Sequence, residues 1–97
     1  MSLIPNSIEE AFRSLDGLLK PEERLAFMQR SERDAATRAH FAVGLYIRNH
    51  WLRSGKSALV GLLRAAGAQS FDDMSVMLLT SYWRHLHGKP IELQKQV

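Results

Sequence analysis

The sequence predicts an all-α fold, a compact bundle of four or five helices around one long central helix. Three observations predict it. Apolar residues recur at three- and four-residue spacing, and no run of β-branched residues alternates strictly with polar ones. Serines stand at Ser7, Ser31, Ser57 and Ser70, all but Ser57 followed within three residues by acidic side chains, where helix starts need a side-chain acceptor. The chain has 97 residues, 45% hydrophobic and 24% charged, with three prolines and no cysteine, which suits one domain with one core. The expectation is a single helical domain over residues 1–97, ordered from about 7 to 93, with frayed ends.

Ser7-Ile8-Glu9-Glu10 fits a capping box, and Ile8, Ala11, Phe12 and Leu15 give the helix that follows one apolar face. Asp16-Gly17 offers a stop, so this first helix covers about 8–16. Pro21 with Glu22 and Glu23 starts a second, to about Gln29, presenting Leu25 and Met28. Ser31-Glu32-Arg33-Asp34 caps a third, and no proline or stop signal precedes Gly55, so one long helix is expected over roughly 32–53. Ala36, Ala39, Val43, Ile47 and Trp51 form its stripe, and His40, Leu45 and Leu52 broaden it, which makes it the central column. Gly44 within it costs about 1 kcal/mol of helix propensity, a cost explained by a backbone or an aromatic ring lying close. Ser54-Gly55-Lys56 is a tight reversal into a helix over about 58–66 with Leu59, Leu62, Leu63 and Ala66 inward, ended by Gly67. Ser70-Phe71-Asp72-Asp73 opens the last helix, about 73–87, apolar on two faces through Met74, Met77, Leu78, Ser81 and Tyr82 and through Leu79, Trp83 and Leu86. Gly88 caps it, and Lys89-Pro90-Ile91 leads into an extended tail.

Composition excludes several function classes. Without cysteine there is no disulfide, thiolate nucleophile, Cys-ligated zinc or iron–sulfur cluster. A chain this short leaves little room for an enclosed cofactor cavity. The longest charge-free stretches, Ala39–Ile47 and Met74–Trp83, run about ten residues against the roughly 18–20 needed to span a bilayer. Met1–Pro5 has neither a basic nor an apolar leader region, so the expected localisation is cytoplasmic.

Net charge is +3, unevenly spread. Residues 1–37 carry seven acids and five bases, residues 38–71 carry Arg38, Arg48, Arg53, Lys56 and Arg64 with no acid, and residues 72–97 carry three of each. That cationic middle either pairs with the acidic flanks inside the fold, faces an acidic protein, or meets nucleic acid.

The chemical motifs are weak. Gly55-Lys56-Ser57 resembles the end of a phosphate loop, but His50 stands where its first glycine is needed and a helix precedes it instead of a strand. Of the four histidines, His85 and His87 point to opposite sides of a helix, and His40 and His50 lie roughly 15 Å apart along one, so neither pair chelates a metal. Glu9-Glu10, Glu22-Glu23 and Asp72-Asp73 are explained by helix starts. A Ser75/His85/Asp73 triad can be assembled on paper but lacks a nucleophile elbow. No catalytic, metal or cofactor set is assigned, and no cofactor is expected.

Tyr46-Ile47-Arg48-Asn49-His50-Trp51 places a guanidinium among core positions, where it needs an anion, and Asp72 or Asp73 is the candidate. The alternative is a surface hot spot in which Arg48, Trp51, Trp83 and Arg84 grip a partner. The candidate interaction or polar-network residues are therefore Arg48, Asn49, Trp51, Asp72, Asp73, Tyr82, Trp83 and Arg84.

Gly44-Leu45-Tyr46-Ile47-Arg48-Asn49-His50-Trp51, then Asp72-Asp73-Met74-Ser75, then Ser81-Tyr82-Trp83-Arg84-His85-Leu86-His87-Gly88-Lys89-Pro90-Ile91 resembles the bacterial Domain of Unknown Function 6794 family. Its pattern is roughly G-[LM]-[WY]-I-R-N-x-W, D-D-M-S and S-[YF]-W-R-x-L-x-G-K-P-I. The resemblance covers about residues 12–93; at Lys20 relatives tend to carry a serine cap. It implies a small helical bacterial protein without an established activity or catalytic residue. It adds Ser75 and Lys89 to the positions that match, which make either a buried polar network or a recognition surface.

The expected role is a non-enzymatic protein–protein interaction module, with an immunity- or antitoxin-like protein as one version, its partner unknown and acidic in one reading. The rivals are nucleic-acid binding through 38–71 and a small enzyme near Arg48 and Asp73. Two tryptophans and four phenylalanines are many for so small an interior, which is compatible with a homodimer.

Overall fold

The computed structural model describes residues 4–53, 55–91 and 93. Four serines open helices as their spacing predicts. Ser7 Oγ accepts from Glu10 N at 3.2 Å ahead of α1, Ile8–Leu18, and Ser31 Oγ from Asp34 N at 3.2 Å ahead of α3, Glu32–His40. Ser57 Oγ accepts from Val60 N at 3.2 Å ahead of α5, Ala58–Ala65, and Ser70 Oγ from Asp73 N at 3.1 Å ahead of α6, Phe71–Leu86. Each satisfies an amide that the first helical turn leaves without an internal acceptor. At α2, Pro21–Gln29, the cap residue Lys20 has no acceptor to offer, and only the reciprocal half of a box forms, Lys20 N donating to Glu23 Oε1 at 2.8 Å. Among the described residues the elements are all helical, in the order α1, α2, α3, α4 (Val43–Ile47), a π-helical turn (Arg48–Leu52), α5 and α6.

The fold is all-α, but the long helix over 32–53 is not one helix. The amides of Phe41 and Ala42 bond three residues back, to Arg38 O at 3.3 Å and Ala39 O at 3.0 Å. Ala42 then leaves the helical region, at φ −122° and ψ −95°. A straight helix of that length would run about 30 Å and diverge from the element it crosses. With the bend, α3, α4 and the π turn all lie against α6. Gly44 marks the closest approach: a Cβ there would stand 2.9 Å from Ser75 Oγ and 3.2 Å from Ala39 O. The neighbour is thus a hydroxyl and a backbone carbonyl, with no aromatic ring. The wider π turn brings the consecutive Trp51 and Leu52 both inward beside Ile47, while Leu45 is left exposed.

The central column is α6. From Met74 to Trp83 every residue but Val76 is buried. A helix apolar or small on all sides has no face to give to water, and the others wrap it. It begins at Phe71, two residues before the expected start, directly after the Ser70 cap that the sequence predicts. Smaller corrections follow the same logic. Asp16-Gly17 does not stop α1, which continues to Leu18; in α2 it is Phe27 that enters the core while Leu25 is exposed; and Leu62 of α5 is largely at the surface. Gly55, Gly67 and Gly88 take φ of 70°, 113° and 68°, the left-handed geometry with which the chain leaves a helix. Ser54 of the expected reversal, and residues 1–3 and 94–97 of the ends expected to fray, lie outside the described residues, while Pro5 is buried.

Candidate functional site

The residues singled out in the sequence sit along α6 and its neighbours as separate polar links. At its N-terminal end Arg48 Nε lies 3.5 Å from Asp72 Oδ1, and Arg48 Nη1 reaches His40 Nδ1 at 2.9 Å and His40 O at 3.4 Å. A guanidinium only donates, so it covers the carbonyl at the broken end of α3. Ser75 Oγ is 3.5 Å from the same His40 Nδ1. Asp72 is 72% exposed, which keeps its ion pair weak. Asp73 takes no part, since its Oδ2 accepts from Gln69 N at 3.0 Å, and Asn49 is exposed.

Further along, the Tyr82 hydroxyl donates to Asp16 Oδ1 at 2.6 Å, and Arg24 Nη1 donates to Asp16 O at 3.3 Å, joining α6 to α1 and α2. Burial, reinforced by the carboxylate that would repel a phenolate, pushes the Tyr82 hydroxyl well above its ordinary value. Trp83 Nε1 donates to Arg30 O at 3.0 Å, at the α2–α3 junction. Arg84 Nε donates to Glu32 Oε1 at 3.1 Å and its Nη1 to Pro90 O at 3.3 Å. Lys89 Nζ stands 4.9 Å from the centre of the Trp83 ring.

This placement corrects the hot-spot surface. Trp51 is 2% exposed and Trp83 8%, and Arg48 and Arg84 are held by acids of the same chain, so these four do not form a gripping face. The paper triad is not assembled either. Ser75 is fully buried against His40, whereas His85 lies ten residues on, roughly 15 Å along the same helix, stacked on Phe12 at 4.5 Å. Residues 38–71 are acid-free along the chain but not in space, because Arg38 bonds Asp34 at 3.1 Å and Arg48 meets Asp72. The tryptophans, Phe12 and Phe27 are absorbed in the core, and Phe41 is not.

The surface that stands open is elsewhere. A groove of about 470 Å³ runs between the end of α1, α2, α3 and α4. Phe27, Val43 and Tyr46 wall it, and its depth comes from small residues, Ala26, Ala35, Ala39 and Ala42. Glu23, Arg30 and Arg38 stand at its rim, and Asp34 bridges the two arginines at 3.7 and 3.1 Å. A second depression of about 360 Å³, between α1 and the π turn, shares Leu18 and Tyr46 with the first. Elsewhere on these segments Phe41 is 78% exposed, its ring edge-on to His40 at 5.2 Å, and Leu25 is 55% and Leu45 51% exposed. Each is the chain neighbour of a lining residue, Ala42, Ala26 and Tyr46. The groove can take apolar side chains. Of these residues only Ala39 and Val43 stand in the expected core stripe; Phe41, Ala26, Ala35 and Ala42 carry no expectation from the sequence. The spacing of Ala35, Ala39 and Ala42 on one helical side was the available signal.

No described helix is long and apolar enough to cross a membrane. Among family models, one described as Domain of unknown function (DUF6794) matches residues 4–86. No curated protein and no solved structure matches the chain.

Proposed function

Because the chain belongs to this family of unknown function, which brings no activity with it, we propose a role from its own residues: a non-enzymatic module of a bacterial cytoplasm that docks a protein through the α2–α3–α4 groove. One observation carries the reading. An apolar groove lies open on the surface, and three large apolar side chains of the segments that build it, Leu25, Phe41 and Leu45, also stand in water. Docking would remove Leu25, Phe41 and Leu45 from water, at about 25 cal/mol per Å² of apolar surface. The non-enzymatic part is supported by the site's chemistry, since the hydroxyl of Ser75 is buried and the rim arginines Arg30 and Arg38 are both paired with Asp34.

A photo-crosslinking phenylalanine analogue tests this in cells of the native host, placed at Phe41 in one variant and at Leu62 on α5 in another. Protein adducts are expected from position 41, lost when Ala39→Glu puts a charge in the groove, and scarce from position 62. Equal labelling from both positions, or adducts to nucleic acid alone, would count against it.

A further inference from the structure

We infer that the outward side of the π turn and α5 is a binding surface for single-stranded nucleic acid, where the Tyr46–His50 stack takes a base and Arg53, Lys56 and Arg64 hold phosphates. This surface is separate from the groove and does not rest on the docking reading. Its sign comes first. Of the five cations in the acid-free segment, Arg38 and Arg48 are paired with Asp34 and Asp72. Arg53 and Arg64 have no ion pair and no hydrogen bond among the described residues. They also converge. Arg64 Nη2 lies 3.9 Å from the point where a Cβ on Gly55 would stand, so its guanidinium reaches back from the last turn of α5 to the turn that carries Arg53 and Lys56. All three cations are exposed, and residues 49–71 contain no aspartate or glutamate to offset them. Like charges gathered at one corner repel, and a run of phosphates supplies the missing counter-charge.

A stacking platform lies on the same segment. The Tyr46 and His50 rings stack at 4.2 Å between centroids and 28° between planes, and His50 is exposed. The turn that sends Trp51 and Leu52 into the core leaves Asn49, His50 and Arg53 outward, so ring, amide and guanidinium share one side. Every base has a π face to lay on an imidazole, and the Asn49 amide can donate to or accept from a base edge. Gly61, exposed in the middle of α5, has nothing within 4 Å of where a Cβ would be, so the helix presents a smooth side to an approaching strand. Glu10, which lines the second depression together with Tyr46, has its carboxylate on the Asn6 amide at 3.2 Å. Two alternatives fit less well. A duplex keeps its bases stacked inside and offers this platform nothing. An acidic protein needs an apolar centre to its interface, and among the described residues of the π turn and α5 Leu62, at 39%, is the one large apolar side chain exposed.

Fluorescence anisotropy of a labelled single strand of mixed sequence, about ten nucleotides long, titrated with the full chain at about 50 mM salt, reads the outcome. The expected result is saturable binding whose log affinity falls against log salt with a slope of about −2, as for roughly three neutralised phosphates. Arg53→Glu and Arg64→Glu should each weaken it at least about fivefold and flatten that slope. His50→Ala should weaken it at least about fivefold through lost stacking, with the slope kept. All three positions are exposed, so melting temperatures should stay at the wild-type value. Arg33→Glu makes the same charge change beside the Glu32–Arg84 pair, twelve residues of α6 or roughly 18 Å from the Arg48–Asp72 pair, and should leave affinity within about twofold. No anisotropy change at the lowest salt overturns the inference. So does equal weakening by Arg33→Glu and Arg53→Glu, which would mean net charge alone, or a duplex of the same sequence bound as tightly. Competition by polyglutamate as effective as by unlabelled strand would overturn it in favour of an acidic protein.

Discussion

Removing one oxygen from Tyr82 tests the link that ties the central helix to α1 and α2. The hydroxyl donates to Asp16 at 2.6 Å inside a fully buried ring. Tyr82→Phe leaves the carboxylate with Arg24 and water, so the expected loss is about 1–2 kcal/mol in urea unfolding. The same hydroxyl predicts an alkaline limit. Its folded-state value is raised above the unfolded value of about 10. The neutral form is therefore favoured in the native state, and this contribution is complete below pH ~10 and lost as pH climbs beyond it. Wild-type stability should fall above that pH, and Tyr82→Phe should remove part of the slope. A variant with the wild-type alkaline profile would show that Tyr82 ionises as freely folded as unfolded. Trp51 teaches the complementary lesson. Its hydrophobic character was legible in the sequence, but whether it faced a partner or the interior was not, since the π turn rotates it inward beside Leu52.

At the scale of the element, the break at Phe41–Ala42 decides the molecule's shape, and Gly44 tests it. In an unencumbered helix Gly44→Ala would stabilise by up to about 1 kcal/mol. Here the new Cβ meets Ser75 Oγ at 2.9 Å and Ala39 O at 3.2 Å. Overpacking of that kind costs about 1–3 kcal/mol, so a net loss is expected. Ser75→Ala removes the nearer atom, and in that background the loss should shrink, a coupling measurable in a double-mutant cycle. A stabilising Gly44→Ala would mean that the segment stands off α6. The helix starts were legible because a cap is a local transaction between a serine and the amide three residues on. The break was not, because it follows from how closely 43–52 settles on a helix three dozen residues further along, and no proline or glycine at 41 or 42 announces it.

For the whole molecule, α6 as the column makes a kinetic prediction. The residues from Met74 to Trp83, all but Val76, are buried, and Tyr82, Trp83 and Arg84 cross-link the helix to its neighbours, so its amides should open only on global unfolding. Native-state hydrogen exchange should find the slowest amides there, with those near Ala42 and the π turn faster. Slowest exchange in 43–52 would return the central role to the segment the sequence favoured. Of the candidate site, the Arg48–Asp72 contact was legible as the demand of a half-buried guanidinium for an anion; the part of His40, which lies between Arg48 and Ser75, was not, because it depends on the bend.

The sequence by itself determined the helical class, the serine caps and the glycine exits, because each depends on side chains within a turn of one another. Tertiary structure alone decided which helix is the column, where the third helix breaks, and that a groove floored by alanines stands open between α2, α3 and α4. Those outcomes arise from close approach between distant segments, where the volume of a single Cβ or the reach of one guanidinium selects among packings that local spacing leaves equivalent.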